Sequence, residues 1–161
     1  MALYKNSNAT FIADAWQVIA DDAAIPVDGY ATVSLKRWRA ERATLVGLGV
    51  PLGVRIEAGE ALEPETDGYE RLSLITLAFP KFSDGRSYSK ARLLRERLGF
   101  AGELRATGEV LLDQVPLMQR AGFDTLDIAH MPTIAAVQRG HIPGITRTYQ
   151  ATGTSAARRR A

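Results

Sequence analysis

The chain contains no cysteine. That absence excludes disulfides, thiolate nucleophiles, CxxC redox chemistry and cysteine-ligated zinc or iron–sulfur sites. Histidine is scarce: His130 and His141 are the only two, so a histidine-based metal site would need carboxylate help, and no metal is expected. No apolar run approaches the ~20 residues that span a bilayer. The opening Met-Ala-Leu-Tyr-Lys lacks the cationic start and apolar stretch of a secretory signal, which leads to the expectation of a cytoplasmic protein without membrane contact. No Gly-x-Gly-x-x-Gly leads into a helix, and no Walker loop is present, so a tightly held nucleotide is not indicated. Without cysteine and without a glycine fingerprint, the chain is expected to carry no flavin, haem or iron–sulfur group.

An excess of positive charge is nearly missing too. Lys and Arg number 20 against 18 Asp and Glu, a formal +2, and the pI near 9.1 overstates it. Arg158, Arg159 and Arg160 supply three of the positives, so the body without them sits at −1. A nucleic-acid partner is therefore not expected. The tail follows Gly153-Thr-Ser-Ala-Ala, a flexible composition. The reading is one α/β domain over 1–152 and a flexible basic tail over 153–161. At 161 residues, roughly 70% of the extended-chain surface can be buried, enough for one core.

What is present falls into alternating units. Residues 1–14 read as loosely held, and Trp16 to Ala20 as a short edge strand. Ile25 to Tyr30 is a loop turning at Asp28-Gly29. Ser34 caps a helix running to about Val46, and Pro51 to Ile56 is a strand. Glu57 to Glu70 is an acidic loop or short helical excursion. Leu72 to Phe79 is an almost unbroken apolar run, the mark of a strand covered on both faces. Pro80 ends its ladder. After a polar turn, Ala91, Leu94 and Leu98 share one face of a helix that Gly99 can cap in the left-handed conformation. Glu103 to Ala106 is a strand. Val110, Leu111, Val115, Met118 and Ala121 mark a second helix, which stops at Gly122. Either Pro116 sits inside it and bends it, or the helix begins there with Asp113 or Gln114 at its cap. Thr125 to Ile128 is a strand, Thr133 to Arg139 a short helix and Ile145 to Gln150 a last strand. Short connections in this order imply right-handed crossovers and a mostly parallel sheet, open or half-barrel-like, with helices on both faces.

In such sheets ligands bind beyond the carboxyl ends of the strands. The turn after Phe79 lies at one. It offers Lys81, Phe82, Ser83, Asp84, Gly85 for close approach, Arg86 as a bidentate clamp, and hydroxyls on Ser83, Ser87, Tyr88 and Ser89, with Ser87 or Ser89 able to cap the helix. This set reads either as an anion or partner site or as a structural turn in which Arg86 pairs with a carboxylate. Arg105 stands at the next strand end and Asp127, with His130, at the one after. Drawn together, Lys81, Asp84, Arg86, Arg105 and Asp127 would bind an anion or hold an acid–base pair. Phe82 and Tyr88 flank the turn and, with Arg92 on the following helix, form a candidate contact patch. No catalytic residue is assigned.

The stretch Phe79-Pro-Lys-Phe-Ser-Asp-Gly-Arg-Ser-Tyr-Ser-Lys-Ala-Arg-Leu-Leu-Arg-Glu-Arg-Leu-Gly-Phe100, with Gly102-Glu-Leu-Arg-Ala-Thr-Gly108, Leu112-Asp-Gln114 and Gly122-Phe-Asp124, resembles a bacterial family described as oxidoreductases of sulfite reduction. Genes of that family often stand beside the gene for assimilatory sulfite reductase. Relatives commonly carry a cysteine where this chain has Ala121. The resemblance implies a role in cysteine biosynthesis. Two readings follow: a non-catalytic accessory protein acting with sulfite reductase or its electron donor, and a small enzyme or sensor for sulfite, sulfate or a phosphorylated metabolite.

Overall fold

The computed structural model describes residues 2–63 and 68–144. Eight strands are formed: β1 (Ala2–Lys5), β2 (Thr10–Ile12), β3 (Trp16–Val18), β4 (Tyr30–Ser34), β5 (Leu52–Ile56), β6 (Leu74–Phe79), β7 (Glu103–Gly108) and β8 (Thr125–Ile128). They make one sheet in the order β2-β1-β8-β7-β6-β5-β4-β3. From β3 to β8 every neighbouring pair is parallel and in chain order. β1 joins β8 antiparallel, and β2 joins β1 antiparallel. The sheet is thus mixed, which corrects the expectation of a mostly parallel one at the chain's start. The expectation of a loosely held start at residues 1–14 does not hold for the described residues, because Leu3 and Tyr4 are both buried in β1.

The connection from β2 to β3 determines the sheet's shape. Those strands lie at opposite edges, yet only residues 13–15 join them. Four Cα steps span at most about 14 Å. A flat eight-stranded sheet would separate its edges by ~34 Å. The sheet must therefore roll until its edges approach, giving a curled, half-barrel-like single domain.

Rolling gives the two faces different chemistry. One carries Val33, Val54, Ile75, Leu77, Phe79, Leu104, Ala106, Leu126 and Ile128, all members of a single apolar core. By strand alternation the other carries Thr32, Arg55, Thr76, Arg105, Thr107, Thr125 and Asp127. Helices α1 (Leu35–Gly47), α2 (Arg86–Arg92), α3 (Val115–Ala121) and α4 (Met131–Gln138) pack on the apolar face. Trp38 and Leu45, Ala91, Val115 and Met118, and Ile134 and Val137 are their contributions to that core. Helices were expected on both faces; among the described residues they occupy one, because the inward face of a rolled sheet leaves no room for them.

Local chemistry accounts for the ends of these elements. Ser34 Oγ accepts from the Arg37 amide at 3.0 Å and starts α1. α2 continues into a π turn over Leu93–Arg97, and Gly99 follows at φ +62°. α3 begins at Val115 with Gln114 before it, so Pro116 sits in the first turn, where a missing N–H costs nothing. All six residues of β6 are buried between β5 and β7. The strand expected at Ile145 to Gln150 and the basic tail over 153–161 lie outside the described residues. Among the described residues no helix is long and apolar enough to cross a membrane.

Candidate functional site

The turn leaves β6 at its carboxyl end, between two parallel neighbours. Asp84 organises it. Its Oδ1 accepts from the Arg86 amide at 3.2 Å and from Arg86 Nε at 2.9 Å, and its Oδ2 accepts from Nη2 at 2.6 Å. The Arg86 guanidinium beside it lowers the Asp84 carboxyl to about 2. Asp84 therefore receives the first amide of α2, a role the sequence suggests for Ser87 or Ser89. Ser87 is buried and donates instead to the Ala78 carbonyl at 2.7 Å. Gly85 has φ −81° and nothing within 4 Å of an added Cβ, so no close approach demands a glycine there.

Two residues outside the turn hold Phe82. Its amide donates to Glu109 Oε2 at 2.5 Å, and its carbonyl accepts from Gln114 Nε2 at 2.8 Å. Its side chain is 58% exposed. Sequence reasoning assigned no role to Glu109 and read Gln114 as a helix cap; the Leu112-Asp-Gln114 element of the resemblance was the available signal. Lys81 and Arg92 are exposed, and neither has an ion-pair partner among the described residues. Lys90 ties α2 to the loop after β5, donating to the carbonyls of Glu57 at 2.6 Å and Ala58 at 2.9 Å.

Tyr88 is not the exposed contact that its place near the turn suggests. Its ring packs edge-on against Phe79 with centroids 5.0 Å apart, and its hydroxyl is buried without a hydrogen-bond partner. Burial, with the Asp113 charge adding to it, pushes the phenol up to about 12. Two outcomes are expected. Tyr88→Phe should match or exceed the wild type in stability at neutral pH, since an unmade buried bond disappears. The phenol stays neutral in the fold where an unfolded tyrosine, near 10, has already ionised. Stability should therefore fall as pH rises from 10 towards 12, and by less in Tyr88→Phe. Urea midpoints at pH 7 and between pH 9 and 12 check both; an equal alkaline loss in the two proteins would refute the assignment.

Arg105 is not drawn to Arg86. It sits within β7 on the inward face, opposite Thr76 and Thr125. Its Nη1 donates to Asp14 Oδ2 at 2.8 Å, and its Nη2 and Nε donate to Glu103 Oε1 at 2.9 and 3.1 Å. Thr125 Oγ1 donates to that same oxygen at 2.6 Å. This cation is buried between two carboxylates, and it pins the β2–β3 connection across the inward face. Asp127 accepts from Thr107 Oγ1 at 3.0 Å on the same face. His130 precedes α4, with Nδ1 2.8 Å from Thr133 Oγ1. Among the described residues no group of three or more His, Asp or Glu is placed to hold a metal ion.

A concavity lies at the opposite, amino ends of β7 and β8. This open cleft of about 1130 Å³ is lined by Lys5, Arg95, Glu103, Arg120, Ala121 and Asp124 among others. Ala121 is buried at the end of α3.

Residues 53–158 match the family described as bacterial protein of unknown function, DUF934. The match includes all of β5 but Leu52, β6 to β8, the turn after β6, Glu109 and Gln114. No curated protein matches the chain.

Proposed function

We propose that this chain, which belongs to the DUF934 family of bacterial proteins, is a non-catalytic accessory protein of assimilatory sulfite reduction. It acts by docking to sulfite reductase or its electron donor. The sulfur context comes from the resemblance centred on Phe79–Phe100. The observation that carries docking over oxyanion chemistry is the state of the two arginines. Arg86 is forked onto Asp84, and Arg105 is spanned by Asp14 and Glu103. At either one, the positive charge that would draw an oxyanion is already balanced by a carboxylate. The cations left over, Lys81 and Arg92, are on the surface, where they suit an acidic protein partner.

The test is binding of the purified chain to sulfite reductase and to its ferredoxin-like donor at low and high salt. Binding should weaken with salt, because exposed charges are screened within ~10 Å at 0.1 M. Arg92→Glu should weaken it about tenfold at low salt through charge repulsion. No binding at low salt to either protein would reject the reading. In the same preparation, ~10 mM sulfite, sulfate or phosphate should leave the melting temperature unchanged. A rise that vanishes in Arg86→Ala would replace docking by the oxyanion reading.

A further inference from the structure

Phe82 presents a contradiction that a turn alone does not explain. It has a large apolar side chain, 58% exposed, in a segment held unusually well. Both of its backbone polar groups end on side chains of the following strand–helix unit, Glu109 for the amide and Gln114 for the carbonyl. Gln114 is itself fixed. It is buried, its Oε1 accepts from the Leu111 amide at 3.1 Å, and its own amide donates to the Leu111 carbonyl at 3.1 Å. The rest of the turn is equally constrained. The Asp84 amide reaches the Lys81 carbonyl at 3.0 Å, and the Asp84–Arg86 fork closes the other side. A turn needs none of this to carry a phenyl ring into water; a serine or asparagine would fold as well there.

Resting on the docking reading above, we propose that Phe82 is the anchor of the interface, presented in its bound conformation. Glu109 and Gln114 are its positioning residues. The partner is a protein surface with an apolar socket for the ring. Aromatic residues are enriched at the buried centre of interfaces. An anchor ordered before binding avoids much of the entropy cost of immobilisation. The charges beside it describe the socket's rim. Asp84 and Glu109 are engaged within the chain. The charged residues next in the chain to Phe82 and to Gln114, and without an ion pair among the described residues, are Lys81 and Asp113. The rim therefore offers a carboxylate to Lys81 and a cationic donor to Asp113, and this polarity sets the orientation of the complex.

The experiment uses the full chain with sulfite reductase and its electron donor as probes. Phe82→Ala should raise Kd about thirtyfold or more, the range of a central anchor, and should leave the melting temperature unchanged because the ring is exposed. Gln114→Glu keeps the acceptor for the Leu111 amide but loses the donor to the Phe82 carbonyl. It should raise Kd severalfold in the wild-type background and not at all in the Phe82→Ala background, since its effect passes through the ring. Binding that survives Phe82→Ala overturns the anchor while leaving the accessory role standing. A Gln114→Glu loss of equal size in both backgrounds overturns the positioning role. Failure of the wild-type chain to bind either probe overturns the accessory reading itself.

Discussion

Arg95→Ala should lower stability by about 3 kcal/mol, with a drop in melting temperature of roughly 6 to 12 °C for a chain of this size. Arg95 leaves the π turn after α2 and ties together two loops at the amino ends of β7 and β8. Its Nε donates to the Gly122 carbonyl at 3.0 Å and its Nη1 to the Gly102 carbonyl at 2.9 Å. Nη1 also donates to the Phe100 carbonyl, and Nη2 pairs with Asp124. Asp124 in turn accepts from the Leu104 amide at 2.8 Å, so the guanidinium orients the carboxylate that starts β7. The side chain further lies over the Phe100 ring at 5.5 Å. Removing it leaves three carbonyls and one carboxylate short of a donor. Each such loss is worth about 1 kcal/mol, reduced where water from the adjoining cleft substitutes. Arg95→Lys should recover the charge but not the fork, and so only about half the loss. Denaturant midpoints with unchanged m-values measure both. A loss below about 1 kcal/mol in Arg95→Ala would mean the loops hold themselves.

Arg95 also shows why parts of this molecule are legible in the sequence and others are not. Its place on a polar helix face is readable; that the helix slips into a π turn and aims the side chain at Gly122, 27 residues on, is not. β6 is readable because it is buried on both faces, so five of its six positions are apolar and no periodicity needs decoding. α1 is readable from Ser34 at its cap. By contrast, β1, β2 and β4 have three to five residues each and are not set off by a long apolar run of the kind that marks β6. The inward face is hidden for a different reason. Thr32, Thr76, Arg105 and Thr107 are buried yet polar, because they line a rolled sheet rather than pack against helices. Alternation alone would send them to solvent. Arg105 thus resembles a free cation, when its neutralising Asp14 lies 91 residues away. The turn divides the same way. Its local Asp84–Arg86 bond follows from the sequence alone, whereas Phe82 is fixed by residues 27 and 32 positions later.

Those later residues depend on one glycine, and Gly108→Ala should be among the most damaging small substitutions in the chain, at about 4 kcal/mol. Gly108 ends β7 at φ +106°, opposite Phe79 at the end of β6. A Cβ there would stand 2.4 Å from the Phe79 carbonyl oxygen and 3.0 Å from its carbon. These are backbone atoms of a fully buried strand and cannot swing aside. The positive φ adds strain of roughly 1 to 3 kcal/mol for any L side chain, and relieving the overlap costs about as much again. The local bonds suffer too. The Phe79 oxygen accepts from the Glu109 amide at 2.8 Å, and the Val110 amide closes onto the Gly108 carbonyl at 3.0 Å. Moving that oxygen shifts Glu109, whose carboxylate holds the Phe82 amide. The variant should therefore weaken partner binding as well as folding. Gly85→Ala is the control: at φ −81° with open space around it, the substitution should change stability by less than about 1 kcal/mol, and in the favourable direction if the unfolded chain loses freedom. Chemical denaturation of the two variants side by side decides the matter, and a difference between them smaller than about 1 kcal/mol would show that the end of β7 tolerates a side chain.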